Sequence, residues 1–140
     1  MYRIAILLLV GICVLPRANA DIAIISHPSL SLDTLSITAA KRLFLKRKTT
    51  LEDGGSVEVK MLKHQLPIGQ SFSRNVLQMS GSRLAAYWSR NIFTGEGQPP
   101  EQLETEEAML EWVAATDNAI GFVDIMRVDD RVKVLLTVAD

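Results

Sequence analysis

The stretch "LFLKRKTTLEDGG" (Leu43–Gly55) joins three local preferences in one short run. Two bulky apolar residues close a helical pattern, a basic triplet follows, and an acidic turn ends in paired glycines. Upstream, "SITAAKRLFL" (36–45) reads as a helix with Ser36 as its N-cap, since a serine oxygen satisfies an otherwise orphaned amide. Ile37, Ala40 and Phe44 fall at i, i+3 and i+7, on one face of that helix. Downstream, Val57, Val59 and Met61 alternate with Glu58 and Lys60, the period of a strand. The quoted stretch is therefore a helix–turn–strand connector, and it sets the expectation of an α/β layered domain.

The basic residues of this region, Lys41, Arg42, Lys46, Arg47 and Lys48, gather at the C-terminal half of the helix. Positive side chains there interact favourably with the helix dipole, by ~0.3–1 kcal/mol each. That placement accounts for the cluster; the competing use is a patch on which a partner docks.

Outward from the connector, "DIAIIS" (21–26) is a nearly continuous apolar run of the kind that forms a buried strand. "KHQLPIGQ" (63–70) reads as a loop leading into a helix from about Ser71, with Phe72 and Val76 on one side. Ser80-Gly81-Ser82 breaks or kinks that helix, and a third carries Leu84, Trp88 and Ile92 at i+4 steps. "TGEGQPP" (94–100) is a loop by its glycine and proline content. Thr105 caps a fourth helix, whose Glu106 and Glu107 suit a positive N-terminal end and whose buried face is Met109, Trp112 and Val113. "AIGFVDI" (119–125) and "VKVLLTV" (132–138) read as strands, with Val128–Arg131 turning between them.

The first twenty residues carry Arg3, an apolar run from Ile4 to Leu15, and Ala18-Asn19-Ala20, the pattern of a cleavable secretory signal. The apolar run is shorter than the ~20 residues a membrane-spanning helix needs. Cleavage after Ala20 is expected. A lipidated Cys13 is disfavoured by the bulky Ile12 before it. Removal of the signal takes with it the single cysteine, so the mature chain carries no disulfide or thiol chemistry and suits a bacterial periplasm. It also takes Arg3 and Arg17 from the 15 basic residues, leaving 13 against 16 acidic ones and a net charge of −3. That balance argues against a nucleic-acid binder. Residues 21–140 suit one domain with one core.

Signatures of catalysis are missing. His27 and His64 are the only histidines, they lack metal-ligand spacing, and each reads as a loop residue. There is no nucleophile elbow and no phosphate loop of the Walker type. The acid pairs Glu106-Glu107 and Asp129-Asp130 stand where a helix start and a turn favour acids. No enzyme, cofactor or metal site is expected. The informative region is "KHQLPIGQSFSRNVL" (63–77), where a strand ends and a helix begins after a glycine-containing loop. Unpaired amides and the positive dipole end there favour an anion, and Gly69, Gln70 and Ser71, helped by Lys63 and Arg74, are its candidate binders. Ordinary capping by Ser71 accounts for the same spacing.

These residues resemble the PstS-like phosphate-binding proteins, the periplasmic solute-binding components of phosphate ABC transporters. Leu43-Phe44-Leu45-Lys46-Arg47 and Asp53-Gly54 keep the frame of a family run, with Lys46 in place of a glycine and Leu51 in place of a tryptophan. "NAIGFV" (118–123) is similar to the family's Gly-Ala-Ile-Gly-Tyr-Val strand. "DIAIISHPSLSLDTLSITAAKRLFL" (21–45) resembles the opening of the second lobe, and "YWSRNIFTGEGQPP" (87–100) resembles short, single-lobe members. The resemblance implies one lobe of a type II periplasmic-binding-protein fold, a mixed sheet flanked by helices, binding phosphate or a similar oxyanion without catalysis. Two departures stand out. The family places its ligand between two lobes, and this chain has length for one. The family's Arg-x-Asp-Gly-Ser-Gly-Thr reads here His64-Gln65-Leu66-Pro67-Ile68-Gly69-Gln70, with only Gly69 matching. The alternatives to a phosphate receptor are a ligand-free lobe that docks an ABC permease or an envelope sensor, through Lys41–Lys48 or Thr94–Pro100, and a homodimer that rebuilds the two-lobed cleft.

Overall fold

A computed structural model describes residues 21–140. The expected signal segment, its cleavage point after Ala20 and Cys13 lie outside the described residues. In chain order the elements are β1 (Ile22–Ser26), α1 (Ile37–Phe44), β2 (Glu58–Val59), β3 (Met61–Leu62), α2 (Pro67–Asn75), α3 (Gly81–Thr94), β4 (Gln102–Leu103), α4 (Glu106–Ala115), β5 (Ala119–Asp124) and β6 (Lys133–Val138). A 3-10 turn, Ile125–Arg127, follows β5.

The main sheet has the order β2-β5-β1-β6, and a second, two-stranded sheet pairs β3 with β4. β1 runs antiparallel to both β5 and β6, whereas β2 joins β5 in parallel, so the sheet is mixed as expected. All five residues of β1 are buried. A continuous apolar strand implies that both faces of the sheet are covered, and two adjacent residues of β5 show how. Gly121 faces α4, where an added Cβ would overlap the Met109 sulfur and crowd Val113. Phe122 points to the opposite face. There its ring stacks on Phe72 of α2 at 3.7 Å and 3°, and Phe44 of α1 meets Phe72 edge-on at 4.8 Å. The three rings are fully buried and join α1, α2 and the sheet into one core.

The capping residues behave as their chemistry demands. The Ser36 hydroxyl accepts from the Ala39 amide at 3.1 Å, and Thr105 accepts from Ala108 at 3.0 Å. The connector ends α1 through a left-handed Lys46, φ 54°. It then closes a small hairpin in which the Asp53 carboxylate accepts from the Gly55 amide at 2.9 Å.

Five expectations are corrected. The strand expected over 56–62 is two strands in two sheets, because the chain changes partners at Lys60. The helix expected from Ser71 begins at Pro67, whose missing N–H is no loss at a first helical position. Ile37, expected on the buried face of α1, is 37% exposed, and Ile92, expected beside Leu84 and Trp88, is 53% exposed. Two i+4 steps drift around a 3.6-residue helix, and Asn91 takes the buried position instead. Trp112 is half-buried, with the Lys60 ammonium 4.9 Å from its ring centre.

Candidate functional site

The earlier start of α2 rearranges the candidate anion site. Leu66 is the N-cap and supplies no side-chain hydrogen bond, and Pro67 has no amide to offer. The Gln70 amide is already committed to the Leu66 carbonyl at 3.0 Å. By position, the amides of Ile68 and Gly69 are the ones that α2 itself cannot satisfy. Gly69 is required there for another reason, since an added Cβ would overlap the Lys63 carbonyl.

Near this helix start, the depression is acidic. Glu104, Glu106, Glu107 and Asp124 line it with Leu66 and Ile68, and Arg127 is its cation. Lys63 is drawn to the Glu104 carboxylate at 2.7 Å, a bond that holds Glu104 below the usual carboxylate range. Glu106 accepts from the Asp124 amide at 2.7 Å and lies 3.7 Å from Arg127.

Ser71 and Arg74 lie further along α2, apart from Lys63. The Arg74 Nη2 donates to the Asp140 carboxylate at 2.7 Å, and the Asn75 amide donates to the same oxygen at 2.8 Å. Arg74 Nη2 is also 3.4 Å from the Ser71 hydroxyl. The Asp140 carboxyl is held below its ordinary value by Arg74 first and then by Ser71, against an opposing effect of burial that is larger than the further contribution of Asn75. The structure thus brings Ser71 and Arg74 together, places Lys63 and Gly69 at the other end of the helix, and leaves Gln70 exposed between them. Asn75 and Asp140 completed the cluster unannounced. Asn75 follows Arg74 directly, but Asp140 carried no local signal, being 66 residues from Arg74.

Neither histidine departs from a structural role. His64 Nδ1 lies 3.4 Å from the Ser73 hydroxyl, and its ring covers Gly81 at the start of α3. His27 bonds the hydroxyl and amide of Ser29 in its own loop. Among the described residues, no group of three or more His, Cys, Asp or Glu side chains is placed to hold a metal ion.

Comparison with solved structures places this arrangement of sheet and helices. A Clostridium perfringens protein described as a phosphate ABC transporter substrate-binding protein with bound phosphate superposes with a TM-score of 0.64 at 17% identity. An ABC-type phosphate transport receptor from Vibrio cholerae matches at 0.61 and 15%, and PstS from Borrelia burgdorferi at 0.63 and 8%. In fold, this chain resembles part of these phosphate-binding proteins. The likeness takes in 83% of the chain against the first two and 84% against the third. It spans less than half of each solved protein, 45%, 46% and 47% respectively. No family model and no curated protein matches the sequence. At these identities the PstS-like resemblance is one of fold, and ligand chemistry rests on the side chains of this chain.

Proposed function

We propose that the chain is a non-enzymatic lobe that binds a small oxyanion, phosphate foremost, in the cell envelope, where an ABC permease or a sensor would be its partner. Export through a signal at residues 1–20 and a periplasmic location belong to the same proposal. The observation that carries it is the convergence of Arg74 and Asn75 on one carboxylate, that of Asp140, with the Ser71 hydroxyl beside the same guanidinium. A guanidinium and an amide aimed at a common oxyanion, with a hydroxyl beside the guanidinium, suit phosphate as well as a carboxylate. In this reading Asp140 holds the seat in the absence of ligand, and phosphate enters by displacing it. Gly69 and Gln70 contribute the helical turn that positions Ser71, and Lys63 joins only by leaving Glu104. The fold likeness to phosphate-binding proteins supports the ligand class.

The test is calorimetric titration of phosphate, with sulfate as control, into the protein and into Asp140→Ala and Arg74→Ala. Saturable phosphate binding that tightens in Asp140→Ala and disappears in Arg74→Ala is expected. The acidic surroundings of the α2 start and the commitment of Lys63 to Glu104 favour a second reading, a lobe that docks a protein and binds no solute. Absence of heat in the protein and in Asp140→Ala alike would overturn the first reading in favour of the second.

A further inference from the structure

The charges of the described residues are unevenly spread along the sequence. No aspartate or glutamate occurs between Asp33 and Glu52 or between Glu58 and Glu96, the two stretches that contain α1, α2 and α3. Lys60, Lys63 and Arg74 within the second stretch, and Arg127, Arg131 and Lys133 beyond it, each have a carboxylate within 4.0 Å. Among the described residues, no carboxylate comes that close to Lys41, Arg42, Lys46, Arg47 or Lys48 at the end of α1, or to Arg83 or Arg90 on α3. The helix dipole explains the α1 cations individually, but α3 has Arg83 in its first turn, where a cation opposes the dipole.

Tyr87 joins the two groups. Its hydroxyl donates to the Leu45 carbonyl at 2.8 Å, and the Arg47 guanidinium lies 5.4 Å from its ring centre. Arg83, Tyr87 and Arg90 stand at i, i+4 and i+7, along one face of α3. The cations of α1 and α3 therefore flank a common seam. Beside it, Phe93 is 91% exposed. Phe93 follows Ser89 and Ala86 at i+4 and i+7, and these short side chains leave its ring unsheltered.

We infer that this face binds the surface of an anionic lipid bilayer, its cations among headgroup phosphates and Phe93 at the headgroup–acyl boundary. Basic side chains beside unsheltered apolar ones are the composition that holds a helix at such an interface. An acidic protein would have to offer Phe93 a fitted apolar pocket beside fixed carboxylates. A leaflet supplies acyl chains next to mobile anionic headgroups, which suits long, flexible cations attached to two different helices. Glu52 and Asp53 share a depression with Arg42 and Lys48, and Glu58 and Glu101 share one with Lys46 and Lys48, so the part of this face without such a neighbour is Lys41 and Arg47 at the end of α1 with Arg83 and Arg90 on α3. This inference is independent of whether an oxyanion binds at Arg74.

Sedimentation of the protein with vesicles tests it. Association is expected with equimolar phosphatidylcholine and phosphatidylglycerol, little with phosphatidylcholine alone, and release at high salt. Arg83→Gln and Arg90→Gln each weaken partitioning about fivefold, and Phe93→Ser weakens it while leaving the salt dependence in place. Both arginines are exposed and unpaired, so the variants keep the fold. No association with anionic vesicles, equal association with both compositions, or indifference to these substitutions would overturn the inference. Binding to polyglutamate without binding to vesicles would also overturn it, assigning the face to an acidic protein.

Discussion

The Arg47 amide donates to the Arg42 carbonyl at 2.9 Å, and the chain makes that bond by turning through a left-handed Lys46. The Lys46 amide reaches the Leu43 carbonyl at 3.1 Å, so the two bonds together close α1 as a Schellman motif. That motif favours glycine at the left-handed residue, because a Cβ there crowds the backbone. Glycine is also what the resembling family run carries in place of Lys46.

Lys46→Gly should therefore stabilise the protein. Relief of the left-handed strain is worth roughly 1 kcal/mol, partly offset by the greater freedom of glycine in the unfolded chain. Lys46→Val should destabilise it, since a β-branched residue is worse still at positive φ. Urea denaturation of the three proteins checks the order. A Lys46→Gly variant less stable than the parent would mean that the lysine side chain contributes more than its backbone conformation takes away.

Gly69 makes the opposite prediction, although its backbone is ordinary and helical. The Lys63 carbonyl and the His64 Cα occupy the space of a side chain. Gly69→Ala should lower stability by about 1–3 kcal/mol, the usual range for overpacking against a rigid neighbour. Alanine is otherwise the better helix former by about 1 kcal/mol, so a stabilised variant in the same denaturation experiment would show that α2 can shift away from the β3–α2 turn.

These two positions also mark what the sequence could reveal. Ser36 and Thr105 were readable as caps because a cap depends on residues three positions away, and β1 was readable because an apolar run needs no partner to announce burial. Pro67 pointed to the start of α2 as plainly, but its company in a Gly-containing segment read as loop. The division at Lys60 and the exposure of Ile92 depend on where other strands and helices end, which periodicity does not encode. At the candidate site, Ser71 and Arg74 were found from helix-start chemistry although the helix starts four residues earlier. Asp140 was not, because its link to Arg74 exists only after β6 has been laid against β1.

Arg131 gives the acid response of the fold a defined centre. Its guanidinium bonds Glu107 in the first turn of α4 at 2.9 Å and Asp129 in the turn before β6 at 2.8 Å. Hydrogen bonds from Arg131 hold both carboxyls below their ordinary values of 4.5 and 3.8. A carboxyl depressed in the folded state takes up its proton more readily when the chain unfolds. Its contribution is thus complete above its unfolded value and is lost as pH falls through the folded one. Melting temperature should accordingly fall between about pH 6 and about pH 3, and Arg131→Gln should shrink that fall by lowering stability at the neutral end. Both carboxylates are largely exposed, so solvent screening keeps the difference small. Melting curves measured across this range for the protein and the variant decide the matter, and parallel profiles would show that the Arg131 pairs contribute nothing to holding α4 against the β6 turn.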